Sequence, residues 1–172
     1  MSITPGADTS ELSELFEDRL QHGRPVAAVE LVRQAEARGI ALPWKLADRV
    51  AITHLHLGEP AQARRCWERA LAPPSPALRL ARIAEAELAL TDIESAEKTF
   101  RAALDRDHRL GEAWFGLALL ELQLGDADAT LAACNEGMSC TLTEPQRNVL
   151  DKFKTVVDRF ASSGRGRNTA SP

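Results

Sequence analysis

The chain has 172 residues, a formal net charge of −4, and few aromatic residues, with no tyrosine among them. The mild charge of mixed sign argues against a nucleic-acid-binding protein, which needs a clustered basic face. Abundant alanine and leucine together with scarce aromatics argue against a sheet, so one all-α domain is predicted.

The N-terminal part of the sequence predicts a loose leader followed by a helical hairpin. Residues 1–8 include Pro5 and Gly6 and form the predicted disordered leader. The first helix is predicted from Thr9 or Ser10 to Gln21, because Ser10 is a good N-cap and acidic residues follow it. A proline then stands two residues after Gly23, where a second helix is expected to begin, since proline fits the first turn of a helix.

The middle of the chain alternates helical stretches with short breaks. Pro60 follows Gly58 as Pro25 follows Gly23, and residues 72–76 contain three prolines that must end a helix. The register resumes directly afterwards, so this run is interpreted as a turn and not as a domain linker. The predicted helices of this part are 44–57, 60–72, 77–90, 92–105, 111–124 and 127–139.

The C-terminal stretch predicts one amphipathic helix. Thr143 and Gln146 have the spacing of a capping box, in which each side chain bonds the backbone of the other residue. Apolar residues then recur at helical spacing on one face. They are Val149, Leu150, Phe153, Val156, Val157 and Phe160. We predict a capping helix over 143–160 that covers the end of the last hairpin, followed by a disordered tail, 161–172.

Four stretches of the chain align with one another. Placing Gly23, Gly58, Thr91 and Gly125 in one column gives spacings of 35, 33 and 34 residues. In this alignment two columns hold small residues, and the column between them holds larger ones. Because antiparallel helices approach closely only where side chains are small, this pattern predicts stacked helical hairpins. The columns are Ala28, Ala63, Ala96 and Thr130; Ala35, Ala70, Ala103 and Gly137; and, between them, Val32, Trp67, Phe100 and Cys134.

A paired-helix unit of about 34 residues resembles the tetratricopeptide repeat (TPR). The stretch from Gly111 to Gly137 carries the resemblance best, with Trp114, Leu117 and Gly125 in the expected columns. The resemblance implies a right-handed α–α superhelix with repeats at 9–42, 43–75, 76–110 and 111–142. The chain departs from the family at several positions. In one column Arg19, His54, Glu87 and Glu121 replace the usual aromatic residue, Phe16 stands in an alanine column, and Thr130 replaces a small alanine.

The resemblance also implies a partner-binding groove lined by the first helix of each repeat. Arg49 and Arg82 share a column, so two guanidinium groups are expected to grip a carboxylate or acidic peptide, while Phe115 and Leu119 hold an apolar side chain. The alternative interpretation is that both arginines pair with Asp48, Glu85 or other exposed acids of the chain itself. Carried over by column, the groove residues are Lys45, Arg49, Ile52, Leu78, Arg82, Glu85, Phe115 and Leu119.

Catalytic and metal-binding residues are not indicated by the spacing of histidine and cysteine. His54 and His56 lie two residues apart, which places them roughly 200° apart around a helix, so they cannot hold one ion together. Cys66 and His54 are a conceivable nucleophile and base across helices, but a cysteine among small helical residues is more often a buried hydrophobe. We therefore predict no catalysis, no cofactor and no metal.

The function predicted from these features is that of a non-catalytic adaptor or scaffold that binds a segment of another protein. Neither nucleic acid nor a membrane is expected as a partner, and a homo-oligomer is possible but not indicated. An odd number of cysteines in helical patterns favours a reducing, cytoplasmic compartment. Two alternatives remain: a small cytoplasmic secretion-type chaperone for an export substrate, and a module that self-assembles through the C-terminal helix.

Overall fold

The computed structural model describes the backbone of residues 9–165 and the side chains of residues 9–159. The predicted leader at 1–8 and the end of the predicted tail lie outside these residues. Over 9–165 the structure has nine α-helices and one isolated parallel bridge. The helices are α1 (Thr9–Gln21), α2 (Pro25–Ala37), α3 (Trp44–His56), α4 (Pro60–Arg69), α5 (Pro76–Ala89), α6 (Ile93–Arg106), α7 (Gly111–Leu124), α8 (Ala127–Ser139) and α9 (Glu144–Arg165).

All four residues of the column that aligns the repeats have a left-handed backbone conformation. Gly23, Gly58 and Gly125 follow α1, α3 and α7 with φ of 67°, 74° and 76°, and Thr91 takes φ of 61° after α5. A residue in this conformation ends a helix because the chain can no longer continue its hydrogen-bond ladder. The repeat register read from the sequence therefore coincides with a shared backbone geometry.

Helix α4 is shorter than predicted. It ends at Arg69 and not at 72, because the next residues make backbone bonds elsewhere. The Leu71 N–H donates to the Leu42 carbonyl at 2.9 Å, and the Trp44 N–H donates to the Leu71 carbonyl at 2.9 Å. These two bonds hold the chain in an extended bridge beside the start of α3, which a helix could not form.

The chain divides into two compact units. Unit 1 comprises the described residues up to Ser75 together with Ala89–Thr91. In it α1 packs on α2, α2 on α3, and α3 on α4. Its largest fully buried side chains are Leu12, Phe16, Val32, Val50 and Trp67. The predicted small residues of α2 and α4 are buried between these larger ones, as the alternation of small and large columns requires.

Unit 2 comprises Pro76–Leu88 and the described residues from Asp92 onward. In it α6 packs on α7, α7 on α8, and α9 on both α8 and α7. One apolar core takes side chains from all five helices, including Ala81 of α5, Phe100 of α6, Leu120 of α7, Cys134 of α8 and Leu150 of α9. Unit 2 thus has its own continuous hydrophobic core.

Close packing of α6 on α7 requires a glycine at position 116. A Cβ atom built on Gly116 would lie 2.2 Å from the Phe100 ring, well inside contact distance. The bulky residue of one helix therefore fills the space that the missing side chain of the other leaves. This pairing is the same small-against-large packing that the repeat columns predict.

Helix α9 starts as predicted but runs further. The Thr143 N–H donates to Gln146 Oε1 at 3.0 Å, so Gln146 reaches back as a capping box requires. The Thr143 hydroxyl donates to the same oxygen at 2.8 Å, where the prediction had it accept from the backbone N–H of Gln146. The helix continues to Arg165, past the predicted end at 160, since Ala161 favours a helix and the two serines after it do not stop one.

Candidate partner-binding surface

In unit 1, three predicted groove residues lie on α3. Lys45 and Arg49 are exposed and Ile52 is half-buried. Arg49 makes a two-pronged ion pair with Glu17 of α1, its Nε and Nη2 atoms donating to the two carboxylate oxygens at 2.8 Å each. The side chains remain 52% and 36% exposed, so a charged pair is presented at the surface.

Electrostatics within this pair follow from its geometry. The hydrogen bonds from Arg49 lower the pKa of Glu17 below its ordinary value, against a smaller opposing effect of burial. The same carboxylate raises the pKa of Arg49. Both groups are therefore ionised at neutral pH. The two hydrogen bonds keep the guanidinium plane facing a carboxylate, which is the geometry in which arginine binds carboxylates.

Asp48, the neighbour of Arg49 on α3, accepts a hydrogen bond from another helix. Its Oδ1 atom accepts a hydrogen bond from the Trp67 indole N–H at 2.8 Å, and its side chain is half-buried. The Arg49–Glu17 pair agrees with the alternative interpretation from the sequence, in which Arg49 pairs with an exposed acid of the chain itself. Trp67 is fully buried, and its only polar atom needs an acceptor there, which Asp48 provides.

In unit 2, Leu78, Arg82 and Glu85 lie on α5 and are half-buried. Arg82 Nη1 donates to both oxygens of Glu85 at 3.0 and 2.9 Å, one helical turn apart. The two side chains are only 21% and 24% exposed. Arg82 is therefore paired with Glu85, as the alternative interpretation stated, and it is less accessible than Arg49.

The two predicted apolar anchors, Phe115 and Leu119, lie one turn apart on α7. Both are half-buried and pack against the core of unit 2. Only part of each side chain remains available to a partner, and the rest stabilises the unit.

The predicted groove residues thus fall into two sets, each within one unit. Unit 1 holds Lys45, Arg49 and Ile52, and unit 2 holds Leu78, Arg82, Glu85, Phe115 and Leu119. The joint action of Arg49 and Arg82 stays a prediction, as do the bounds of the four repeats.

Sequence reasoning missed Glu17, the acid that faces Arg49. The two residues are 32 positions apart, which is one repeat less about one helical turn. The helix that carries Glu17 also carries Glu14 and Asp18, so the spacing alone does not single out Glu17 as the partner.

The conceivable nucleophile, Cys66, is a protonated thiol at neutral pH. Burial raises the pKa of Cys66 to about 12, with a further contribution from the nearby Glu36 carboxylate. His54 is engaged through Nδ1 by Glu59 Oε2 at 2.7 Å. A buried thiol with so high a pKa is a poor nucleophile.

Among residues 9–159, histidine, cysteine and carboxylate side chains nowhere gather in a group of three or more that could hold a metal ion. None of the helices in the described part of the chain has the length and apolar character needed to cross a membrane.

No protein-family model matches the chain, and no curated protein does either. Solved structures do match it. The crystal structure of MamA superposes with a TM-score of 0.60 at 12% identity, covering 88% of this chain and 96% of that one. A tetratricopeptide repeat protein from Parabacteroides merdae superposes with a TM-score of 0.62 at 19% identity, covering 93% of this chain and 68% of that one.

A third similar structure is that of the APC/C hetero-tetramer Cut9-Hcn1, with a TM-score of 0.63 at 14% identity, covering 85% of this chain but 30% of the matched one. At such identities the likeness concerns the fold. The predicted all-α, TPR-like fold of helical hairpins is thereby confirmed.

Proposed function

We propose that this chain is a non-catalytic protein-interaction adaptor that captures partner segments on the outward face of α3 in unit 1 and, separately, on the outward faces of α5 and α7 in unit 2. The observation that carries the proposal is the exposed, two-pronged pair of Arg49 with Glu17. The TPR-like fold supports it, since one similar chain comes from an assembly of two different proteins, the Cut9-Hcn1 hetero-tetramer. Fold alone does not determine function, so the contacts on the surface have to carry the argument.

Exchange of carboxylates is the proposed mode of recognition at α3. The Arg49 guanidinium is already oriented by Glu17, and both side chains are in contact with water. A partner carboxylate can therefore replace or share Glu17 without moving the backbone, because the desolvation cost of an exposed pair is small. Lys45, one turn before Arg49 on the same helix, adds positive charge beside it.

Unit 2 has a recognition surface of its own in this proposal, and that surface is mainly apolar. The exposed portions of Phe115 and Leu119 are offered to an apolar side chain of the partner, and Leu78 adds a half-buried apolar surface on α5. Arg82 is proposed as a weaker contact than Arg49, because it is more buried and already held by Glu85.

The test is capture of partners from a lysate of the source organism with the wild type and with an Arg49→Glu, Arg82→Glu double variant. Circular dichroism must show that the variant is folded. Arg106→Glu, Arg109→Glu is the matched control, because it changes the net charge equally at two exposed arginines. We expect partners bound by the wild type and by the control to be lost from the double variant.

A charge swap separates binding from stability. Glu17→Arg with Arg49→Glu keeps an ion pair between α1 and α3 but exchanges the two charges. The swap should fold as the wild type does and still fail to bind the partner. If the swap and the double variant both retain the same partners, the arginines contribute nothing to recognition and the proposal is wrong.

Self-assembly through α9 is the less favoured alternative. Leu150 and Val157 of this helix are buried within unit 2 and Phe153 is half-buried, so the apolar face is already covered. Among the described residues of that face, Val156 is the exposed one, at 42%. The secretion-chaperone alternative and the cytoplasmic location stay predictions.

A further inference from the structure

Unit 1 has a second surface feature, a cleft on the side of the second helices. The cleft has a volume of about 840 Å³ and lies between α2 and α4, with side chains of α3 at its floor. Val29, Val32 and Val50 line it, and all three are buried. None of the predicted groove residues lines this cleft, so it is distinct from the surface on α3.

Two large apolar side chains lie exposed in the lining of the cleft. Val26 at the start of α2 is 65% exposed, and Leu90, which belongs to unit 1, is 40% exposed. These are two of the five large hydrophobic residues that are exposed in the described part of the chain. Their concentration in one concave feature with a valine floor is typical of a site that buries a partner's apolar side chains.

The α4 wall of the cleft is basic. Arg65 and Arg69 line it one turn apart, and neither guanidinium group makes an ion pair with another described side chain. The α2 wall differs, because Arg33 is held there by Glu30 at 2.7 Å and a second acid, Glu36, also lines it. The charge that is free to meet a partner along α4 is therefore positive.

The walls indicate a helical occupant. The α2 wall has 13 residues and the α4 wall has 10. At 1.5 Å per residue they are roughly 20 and 15 Å long, which matches about three turns of a third helix laid along them. Helices pack side by side when apolar ridges enter such grooves, and a helix satisfies its own backbone hydrogen bonds.

We infer that the cleft between α2 and α4 is a second docking site, which takes an amphipathic helix of a partner protein. The apolar face of this helix meets the valine floor, and acidic residues on one flank meet Arg65 and Arg69 through charge-assisted hydrogen bonds. An adaptor with this site holds one partner on its second helices while the surface of α3 remains free for another.

One lining residue, His54, is already engaged by a neighbour. Its Nδ1 atom lies 2.7 Å from a carboxylate oxygen of Glu59, which also lines the cleft.

The experiment uses the full chain and two synthetic helical peptides of about 18 residues, roughly 27 Å in length. Both carry a leucine stripe at helical spacing. One has glutamates along one flank, and the other has lysines at the same positions. Binding is measured by fluorescence anisotropy, and the site is mapped by chemical-shift changes in the isotope-labelled chain.

We expect the glutamate peptide to bind at least about tenfold more tightly than the lysine peptide, with shift changes on α2 and α4. Arg65→Glu, Arg69→Glu should reverse this preference, whereas the Arg106→Glu, Arg109→Glu control should keep it. Val26→Asp should lower the affinity for both peptides. Its matched control, Leu124→Asp, changes a residue that is 55% exposed in unit 2 and should leave both affinities unchanged.

Three results would overturn the inference. The first is that wild type binds both peptides equally or binds neither. The second is that the shift changes map to α3, α5 or α7. The third concerns a fatty acid, dodecanoate, added in place of the peptides. If it changes the chemical shifts of α2 and α4 while the peptides do not, the cleft belongs to a single-chain lipid.

Discussion

Thr91 shows at the scale of one residue how the repeat tolerates a departure from its pattern. It takes the left-handed conformation that glycine takes at the other three positions of its column. A β-branched residue pays roughly 1 to 2 kcal/mol for that conformation, because its Cβ approaches the following carbonyl. The strain is local and leaves the end of α5 where the column predicts it.

Replacing Thr91 by glycine should therefore stabilise the protein. The relief of strain exceeds the added entropy of glycine in the unfolded chain, so a net gain of about 0.5 to 1 kcal/mol in the free energy of unfolding is expected. Urea denaturation measures it. Thr91→Ala should give no such gain, since alanine keeps the strain.

The reverse substitution provides a control. A Cβ at Gly58 would meet no atom within 4 Å, so Gly58→Ala tests the backbone conformation alone. It should destabilise by about 1 kcal/mol. A loss of stability in Thr91→Gly, or none in Gly58→Ala, would contradict the strain argument.

Glu121 is a buried carboxyl group in the column where the resembled family carries an aromatic residue. It is 8% exposed. Burial raises its pKa above the ordinary value, the Glu97 and Asp126 carboxylates raise it further, and Arg101 at 3.8 Å opposes them. Because the folded-state pKa is the higher one, this group favours folding most below its unfolded pKa and loses that contribution as pH rises through the folded pKa.

Glu121→Gln should consequently stabilise the protein relative to wild type near neutral pH. The advantage should shrink toward about pH 4, where wild-type Glu121 becomes protonated as well. Denaturation curves at both pH values give the comparison. The exposed Glu94→Gln variant of α6 makes the same change in net charge and is the control. An advantage that grew on acidification would show that the Arg101 attraction outweighs burial.

At the scale of the element, helix bounds were predicted correctly where nearby residues, such as prolines, glycines and N-caps, determine them. Helices α1, α7 and α8 have the predicted bounds, and α2 and α4 begin at the predicted prolines. The end of α4 was missed because it depends on bonds to residues 42 and 44, which no local signal reveals.

The role of α9 is decided by what its apolar face contacts. Leu150 is fully buried, belongs to the core of unit 2, and lies within 3.0 Å of the position of a Cβ on Gly137. The helix is therefore an integral part of unit 2, whereas a helix reserved for self-assembly would leave this face uncovered.

Leu150→Ala should lower the free energy of unfolding by about 2 to 5 kcal/mol, because it opens a cavity in the core. Val156→Ala, on the same helix but exposed, should cost less than about 1 kcal/mol. Chemical denaturation of both variants makes the comparison. Equal, small effects would mean that α9 does not pack on unit 2 in solution.

At the scale of the whole molecule, the described chain consists of two units, each with its own arrangement of packed helices. Unit 1 offers the charged pair on α3 and the cleft between α2 and α4. Unit 2 offers partly exposed apolar residues on α7 and is covered by α9. Two chemically different surfaces in unit 1 are the basis for proposing that this protein joins two partners.

The candidate site was predictable in part. The column that a residue occupies in the repeat indicates which face of its helix it lies on. The exposure of Lys45 and Arg49 and the partial exposure of Ile52 could therefore be anticipated. The ion-pair partner of Arg49 could not be assigned, because Glu17 is distant in sequence and its approach depends on how α1 lies beside α3. The cleft was missed for a similar reason, because it is formed jointly by residues of α2, α3 and α4 and no single stretch of the sequence indicates it.

The sequence by itself determined where most helices begin and end and which faces are buried. Those features depend on proline, glycine and the period of small and large side chains, all of which act over a few residues. Only the tertiary structure decided the acid that holds Arg49, the indole that engages Asp48 and the cleft lined by Arg65 and Arg69. Each of these requires side chains from different helices to meet, and the distances between helices are set by packing throughout a unit.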